Sequence, residues 1–299
     1  MMHPILAKKQ SPSLDNRARM LISCPDQPGI VAAVSRFLHE HGANIVQSDQ
    51  YTMDPEGGMF FIRIEFDLNE LERRLDTLKL DFAEVVAVKF AMSWSVSRAK
   101  ERKRLAVFVS KEDHCLLELL WQWQAGDLEA DIALVISNHP DMRELTESYG
   151  IKYFHVPVTP DTKAEAEQKH LELIEQERAD TVLLARYMQI VSPSFIARFP
   201  NRIINIHHSF LPAFVGGKPY AQAYQRGVKI IGATAHFVTE ELDAGPIIEQ
   251  DVQRVSHRDN VEDLKRIGRH IERTVLARAV TWYAQDRILV HQNKTVVFS

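Results

Sequence analysis

The run Asn205-Ile206-His207-His208-Ser209-Phe210-Leu211-Pro212 is followed downstream by His236-Phe237 and then by Leu242-Asp243-Ala244-Gly245-Pro246-Ile247-Ile248. An amide, several imidazoles and a carboxylate are thereby gathered within one short stretch of chain. In an extended backbone alternate side chains share a side, so Asn205 and His207 face a common volume. An Asn N–H can stabilise a tetrahedral oxyanion, a His can relay a proton near neutral pH, and a carboxylate such as Asp243 can hold the imidazolium or act on water. Asp-Ala-Gly ahead of an apolar run supplies a tight turn that brings the carboxylate back to the other two. Whether Asp243 or His207 acts as the base is open at this point. His236 is expected to support Asp243 or the site wall, and His208 to shape the water pocket or to pack. Adjacent histidines on an extended backbone diverge, and no His-x-x-x-His pair lies near them, so no metal is expected.

These groups need a scaffold, and the chain has two textures. From Ala18 the order is strand, helix, strand, strand, helix, strand, the βαββαβ order of a ferredoxin-like sandwich. Ile30, Val31, Val34, Phe37 and Leu38 share a helical face before a stop at Gly42. DPEGG reads as a hairpin turn, a second helix is expected from Asn69 to about Val85, and AVKFAMSW is expected as the fourth strand. A basic run then gives an exposed linker over 97–103. Beyond it, five apolar strands alternate with helices, which predicts a parallel, doubly wound, Rossmann-like sheet. Ligands of such sheets gather beyond the carboxyl ends of the strands, here just after Ser110, Asn138, Met188 and Asn205. KIIGATAHFV and PIIEQDVQRV read as a hairpin pair, the stretch from Val261 to Arg287 as a long helix, and TVVF as a short last strand.

A length of 299 residues suggests two domains, and 45% hydrophobic residues suffice for real cores. The net charge of −4 carries no global footprint for nucleic acid or an anionic membrane. No apolar window reaches membrane-spanning length, and the first residues read as a loose arm of a soluble protein. Cys24 and Cys115 stand far apart with no neighbouring Cys, which fits a reducing, cytoplasmic setting.

A second constellation, Asp26-Gln27-Pro28-Gly29-Ile30, joins the first strand to the first helix. Gly29 permits a tight turn, and the following amides form a helix start able to hold an anion. With the βαββαβ order and the HGANI segment, residues 18–96 resemble the ACT domain. The resemblance implies amino-acid sensing at the interface of paired domains, a homo-oligomer, and an effector near Asp26, Gly29, Ile30 and Asn44. Glycine or methionine is the expected effector.

NIHHSFLPAF, HFV and LDAGPII together resemble the signature of the folate-dependent formyltransferases, the family of glycinamide ribonucleotide formyltransferase, over residues 104–299. Carried across, Asn205, His207 and Asp243 are the catalytic trio. Arg186, Tyr187, Met188, Gln189 and Ile190 are similar to the strand end lining the pterin pocket, which the Thr239–Asp243 loop completes. Transferases of that family hold a substrate phosphate on a glycine-rich loop after the first strand. Here that loop reads Ser110-Lys111-Glu112-Asp113-His114, with no glycine and two acids. His208 stands where the family has proline, and in Gly-Lys-Pro-Tyr at 217 to 220 the residues Lys218 and Tyr220 are expected either to close the acceptor side or to pack in an exposed loop. These departures, with an ACT-like module in front, resemble the branch in which water replaces the amine. The implied reaction is hydrolysis of 10-formyltetrahydrofolate to tetrahydrofolate and formate, balancing one-carbon pools and supplying purine biosynthesis, with no cofactor beyond the folate. Formyl transfer to an amine is the alternative.

Overall fold

The computed structural model describes residues 14–54, 56–213 and 219–299. They divide into two compact units between Glu101 and Arg102. Most of the expected amino-terminal arm, Pro55 of the hairpin turn, and Gly217 and Lys218 lie outside the described residues.

In the first unit, β1 (Arg17–Pro25), α1 (Ile30–Glu40), β2 (Asn44–Thr52), β3 (Met59–Asp67), α2 (Leu71–Phe82) and β4 (Ser93–Arg98) follow in order. The antiparallel sheet runs β2-β3-β1-β4, the expected ferredoxin-like arrangement. Alternation sends Met20, Ile22 and Cys24 with Ile62, Ile64 and Phe66 to one face, where Val34, Phe37, Leu75 and Phe82 of the helices cover them. Three local expectations are corrected. Val31 is exposed, because the buried stripe of α1 runs through Ile30, Val34, Phe37 and Leu38 and position 31 lies about 100° around the helix from position 30. AVKFAM is not strand: a π-helical turn at Ala83–Ala87 prolongs α2, and Phe82, Val86 and Phe90 keep helical spacing into the core. The linker expected over 97–103 is also shorter, since Ser97 and Arg98 belong to β4 and Lys103 opens the next strand.

The second unit begins with β5 (Lys103–Val109), α3 (His114–Ala125), β6 (Ala130–Ser137), α4 (Arg143–Ser148), β7 (Tyr153–His155), α5 (Lys163–Gln176) and β8 (Thr181–Leu184). It continues with α6 (Pro193–Ala197), β9 (Ile203–His207), α7 (Pro219–Arg226), β10 (Ile230–Phe237), β11 (Ile247–Arg254) and α8 (Val261–Ala284), and closes on a hairpin of β12 (Ile288–His291) and β13 (Lys294–Val297). The sheet order is β11-β10-β9-β8-β5-β6-β7. Its five parallel strands match the doubly wound expectation, and β10 and β11 extend it antiparallel.

Both faces of this sheet are covered, so its strands are apolar throughout. Leu105, Val107 and Val109 face the core shared with α3 and α8, while Ala106 and Phe108 face α5 and α6. Between β5 and β8 the chain reverses its direction of winding, and the strand ends there diverge into a crevice. Ser110 ties that crevice together: its hydroxyl donates to Asn138 Oδ1 at 2.7 Å and accepts the Met188 N–H at 3.1 Å. No helix among the described residues is long and apolar enough to cross a membrane.

The loop between β10 and β11 folds back tightly at Gly245, where an added Cβ would lie 1.9 Å from the Phe237 carbonyl oxygen. Gly245→Ala should therefore lower stability by roughly 1–3 kcal/mol through forced displacement of that loop. A urea midpoint equal to wild type would show that the loop yields without strain.

Candidate active site

Asn205 and His207 lie on β9, which ends at His207 beside β10. The register pairs His236 of β10 directly with Asn205. That pairing fixes three groups. His236 Nδ1 is 2.9 Å from the Phe237 carbonyl, which can only accept, so Nδ1 carries the proton. Its Nε2 then accepts from Asn205 Nδ2 at 3.1 Å, orienting the amide and leaving its second N–H available to a ligand. Burial lowers the His236 pKa and keeps this ring neutral.

Asp243 reaches the strand end from the returning loop. It adopts the left-handed region at φ 56°, as does Arg186 at φ 64°; both are non-glycine residues in conformations that turns and sites tolerate at a cost. Asp243 Oδ2 lies 3.3 Å from His207 Nδ1, and its Oδ1 lies 3.7 Å from His236 Nε2. The His207 hydrogen bond, outweighing partial burial and aided by the nearby imidazoles, holds the Asp243 carboxyl below the usual carboxylate range. An ionised Asp243 thus faces Nδ1 of His207, while His207 Nε2 is buried and makes no hydrogen bond. A buried imidazole nitrogen with its opposite edge pinned by a carboxylate is arranged for proton transfer.

These groups line a cavity of about 290 Å³. Its wall includes the whole substrate-binding set expected from the sequence: Arg186, Tyr187, Met188, Gln189, Ile190, His208, His236 and Thr239. Met188, Ile190 and Leu242 expose large apolar side chains along it, a surface suited to a flat, partly apolar ligand. Tyr187 contributes wall only. Its ring is buried edge-on to Phe108 at 5.2 Å, and burial pushes its hydroxyl pKa up.

The histidine pair departs from expectation. The rings of His207 and His208 do not diverge but lie 5.4 Å apart, because the strand ends at His207 and the chain bends before His208. Burial, reinforced by the Arg186 charge, lowers the His208 pKa to about 4, so this ring is neutral near pH 7.

Beside the trio stands a cluster in which Arg186 and Tyr220 were expected near the site, but to whose centre, Glu272, no motif pointed. Glu272 of α8, almost fully buried, accepts from His114 Nε2 at 2.8 Å and from the Tyr220 hydroxyl, and lies 3.3 Å from Arg186 Nε. Burial alone would raise this carboxyl. The His114 hydrogen bond, the Arg186 charge and the Tyr220 hydroxyl overcome that and bring it to about 2. Tyr220 gains access because Gly268 is bare: a Cβ there would meet the hydroxyl at 1.9 Å. The signal was present in the sequence as one acid, Glu272, inside the apolar stripe Ile271, Val275, Leu276 and Ala279. Glu272, His114 and Cys115 also bring potential ligand atoms within 4.8 Å of one another.

In the first unit, Gly29 takes φ 95° at the start of α1, and Asp26 accepts the Thr52 hydroxyl at 2.6 Å. Ile30 is buried and contributes to the core. Asn44, expected to share a ligand with this turn, is not brought to it. Asn44 pairs with Asp67, as Arg17 does, whereas the Asp26 turn follows Pro25 at the other end of β1.

Residues 103–280 match the Formyl transferase family and residues 18–79 the ACT domain. A Bacillus subtilis protein named formyltetrahydrofolate deformylase is 60% identical, covering 95% of each chain. An Escherichia coli protein of the same name is 42% identical over 92% of this chain and 95% of its own. Among solved structures, a formyltetrahydrofolate deformylase from Pseudomonas syringae superposes with a TM-score of 0.90 at 49% identity, covering 95% of both chains. A glycinamide ribonucleotide transformylase from Symbiobacterium toebii reaches 0.63 at 32% identity, covering 66% of this chain and 95% of its own. Likeness to the transferase is thus confined to part of the chain, whereas likeness to the hydrolase runs through it, and the chain belongs to the formyltetrahydrofolate deformylase family.

Proposed function

We propose that the chain hydrolyses 10-formyltetrahydrofolate to tetrahydrofolate and formate. The observation that carries the reading is the His207–Asp243 contact, with His207 Nε2 unpartnered at the wall of an apolar-rimmed cavity. The folate lies along Met188, Ile190 and Leu242, its formyl group toward Asn205. Water attacks the formyl carbon, and His207 Nε2 takes its proton. The depressed pKa of Asp243 makes it the weaker base, so its part is to orient His207 and stabilise the imidazolium. The free N–H of Asn205 supports the oxyanion. Collapse breaks the carbon–N10 bond, His207 returns the proton to N10, and the second water proton leaves as formic acid ionises. In this reading the protein's own groups carry every step and no metal is required.

The amino-terminal unit is proposed to sense an amino acid, glycine or methionine, in a homo-oligomer. Asp26 and Asn44 lie at opposite ends of the sheet within one chain, so a site using both needs a second copy. Buried, unpaired Cys24 and Cys115 agree with a cytoplasmic setting.

Incubated with 10-formyltetrahydrofolate and no amine, the purified chain should release formate; turnover only with a phosphoribosyl amine would return it to the transferases. Asp243→Asn should lower kcat by about 10²–10⁴-fold and leave folate binding intact, as expected for loss of an oriented proton acceptor. A rate near wild type would remove Asp243 from the mechanism. Because a lowered imidazole pKa favours the neutral form at any pH above it, His208, with a pKa of about 4, contributes no titration near neutrality. The kcat–pH profile of His208→Gln between about pH 6 and 8 should keep its wild-type shape, and a displaced limb would show that His208 titrates there. Calorimetric titration should give heat with glycine or methionine; silence with both, and no change of rate, would remove those effectors.

A further inference from the structure

The segment from Arg186 to Val191 walls the reaction cavity with little internal bonding to hold it in place. Ser110 takes the Met188 N–H at 3.1 Å. Gln189, Ile190 and Val191 then make no hydrogen bond among the described residues. The next fixed point along the chain is Ser192, and a residue of α5 fixes it. The Glu167 carboxylate accepts the Ser192 N–H at 2.8 Å and, through its second oxygen, the Ser192 hydroxyl. The same hydroxyl oxygen accepts the Phe195 N–H at 3.2 Å and so starts α6.

The same helix backs the segment. Glu167 and His170 share one face of α5 and meet Tyr187, Gln189, Ile190 and Val191 across a gap of about 10 Å³. That is room for about one water molecule, so the segment cannot sink towards α5. His170, kept neutral by burial, packs its ring edge-on to Phe108 at 5.1 Å and to Tyr187 at 6.2 Å. The other side of Tyr187, Gln189, Ile190 and Val191 lines the reaction cavity, whereas Glu167 does not. We propose that Glu167 is a positioning residue for folate: by holding Ser192 it sets where the wall formed by Gln189, Ile190 and Val191 stands. The hydrolytic reading above supplies the identity of the ligand. Glu167 bonds to none of Asn205, His207 and Asp243, so the wall it holds contacts ground state and transition state alike, and its loss falls on KM and not on kcat.

The test compares Glu167→Leu, Glu167→Gln and Ser192→Ala in the full-length protein. Formate release gives kcat and KM for 10-formyltetrahydrofolate, and calorimetry with tetrahydrofolate gives a dissociation constant without turnover. Glu167→Leu strands both Ser192 donors and should raise KM and the dissociation constant about tenfold, as loss of charge-assisted hydrogen bonds predicts, with kcat within about twofold of wild type. Glu167→Gln keeps an oxygen for the Ser192 N–H and should restore most of the affinity. Ser192→Ala removes the hydroxyl alone and should raise KM about threefold; it carries the test if Glu167→Leu does not fold. KM and dissociation constant unmoved in the folded variants, or a fall confined to kcat, would overturn the assignment. Wild-type protein that binds tetrahydrofolate but releases no formate would contradict the hydrolysis alone, and the dissociation constants would still decide for or against Glu167. Wild-type protein that binds no folate would sink both.

Discussion

An ionised carboxylate pressed against one edge of a buried imidazole is the constraint on which the rest of the second unit depends. Asp243, on the loop after β10, and His207, at the end of β9, are brought to 3.3 Å. β9 ends at His207, and β10 carries the chain to a loop that Gly245 alone allows to fold back. Two hydrogen bonds from the carboxyl-terminal hairpin hold that loop, from Asn293 to the Ala244 carbonyl and from Thr295 to the Ile247 carbonyl. His236 serves the same end from the neighbouring strand, fixing the Asn205 amide by a cross-strand pairing that the antiparallel register dictates. Without the carboxylate, His207 would have no reason to present Nε2 to the cavity in one tautomer.

A second ion pair, Arg186 with Glu272, accompanies this contact. His208 and His236 stay neutral because burial penalises their charged forms. The buried acid Glu272 is tolerated because His114, Tyr220 and Arg186 all engage it; removing any one would leave a charge or a donor stranded in the core. Four elements are thereby tied at the crevice, one of them through the space vacated at Gly268.

Periodicity and motif spacing make much of this legible before any coordinates. The βαββαβ order, the five parallel strands and the alternation that places Asn205 beside His207 follow from patterns of period two and 3.6, which survive in any packed context. Where expectation and structure part, the cause is a choice between local rules. AVKFAM has strand composition, yet Phe82, Val86 and Phe90 bury at helical spacing, and burial wins. His207 and His208 would diverge on a continuing strand, but the strand stops between them. Resemblance couples Asn44 to the DQPGI turn, but strand direction separates them within one chain. Glu272 is legible only as an acid on an apolar stripe, and its partners come from α3, α7 and the end of β8, too far apart in sequence for any spacing rule.

The central claim is that water, activated by His207, attacks the formyl carbon directly, with Asp243 orienting and never bonding to substrate. A single turnover of enzyme in excess, run in ¹⁸O-labelled water and read by mass spectrometry of the formate, tests it most directly. Direct attack predicts one ¹⁸O in the formate of the first turnover and an unlabelled Asp243. Unlabelled first-turnover formate, with ¹⁶O supplied by the protein and ¹⁸O appearing in Asp243, would make the carboxylate a nucleophile and contradict the account.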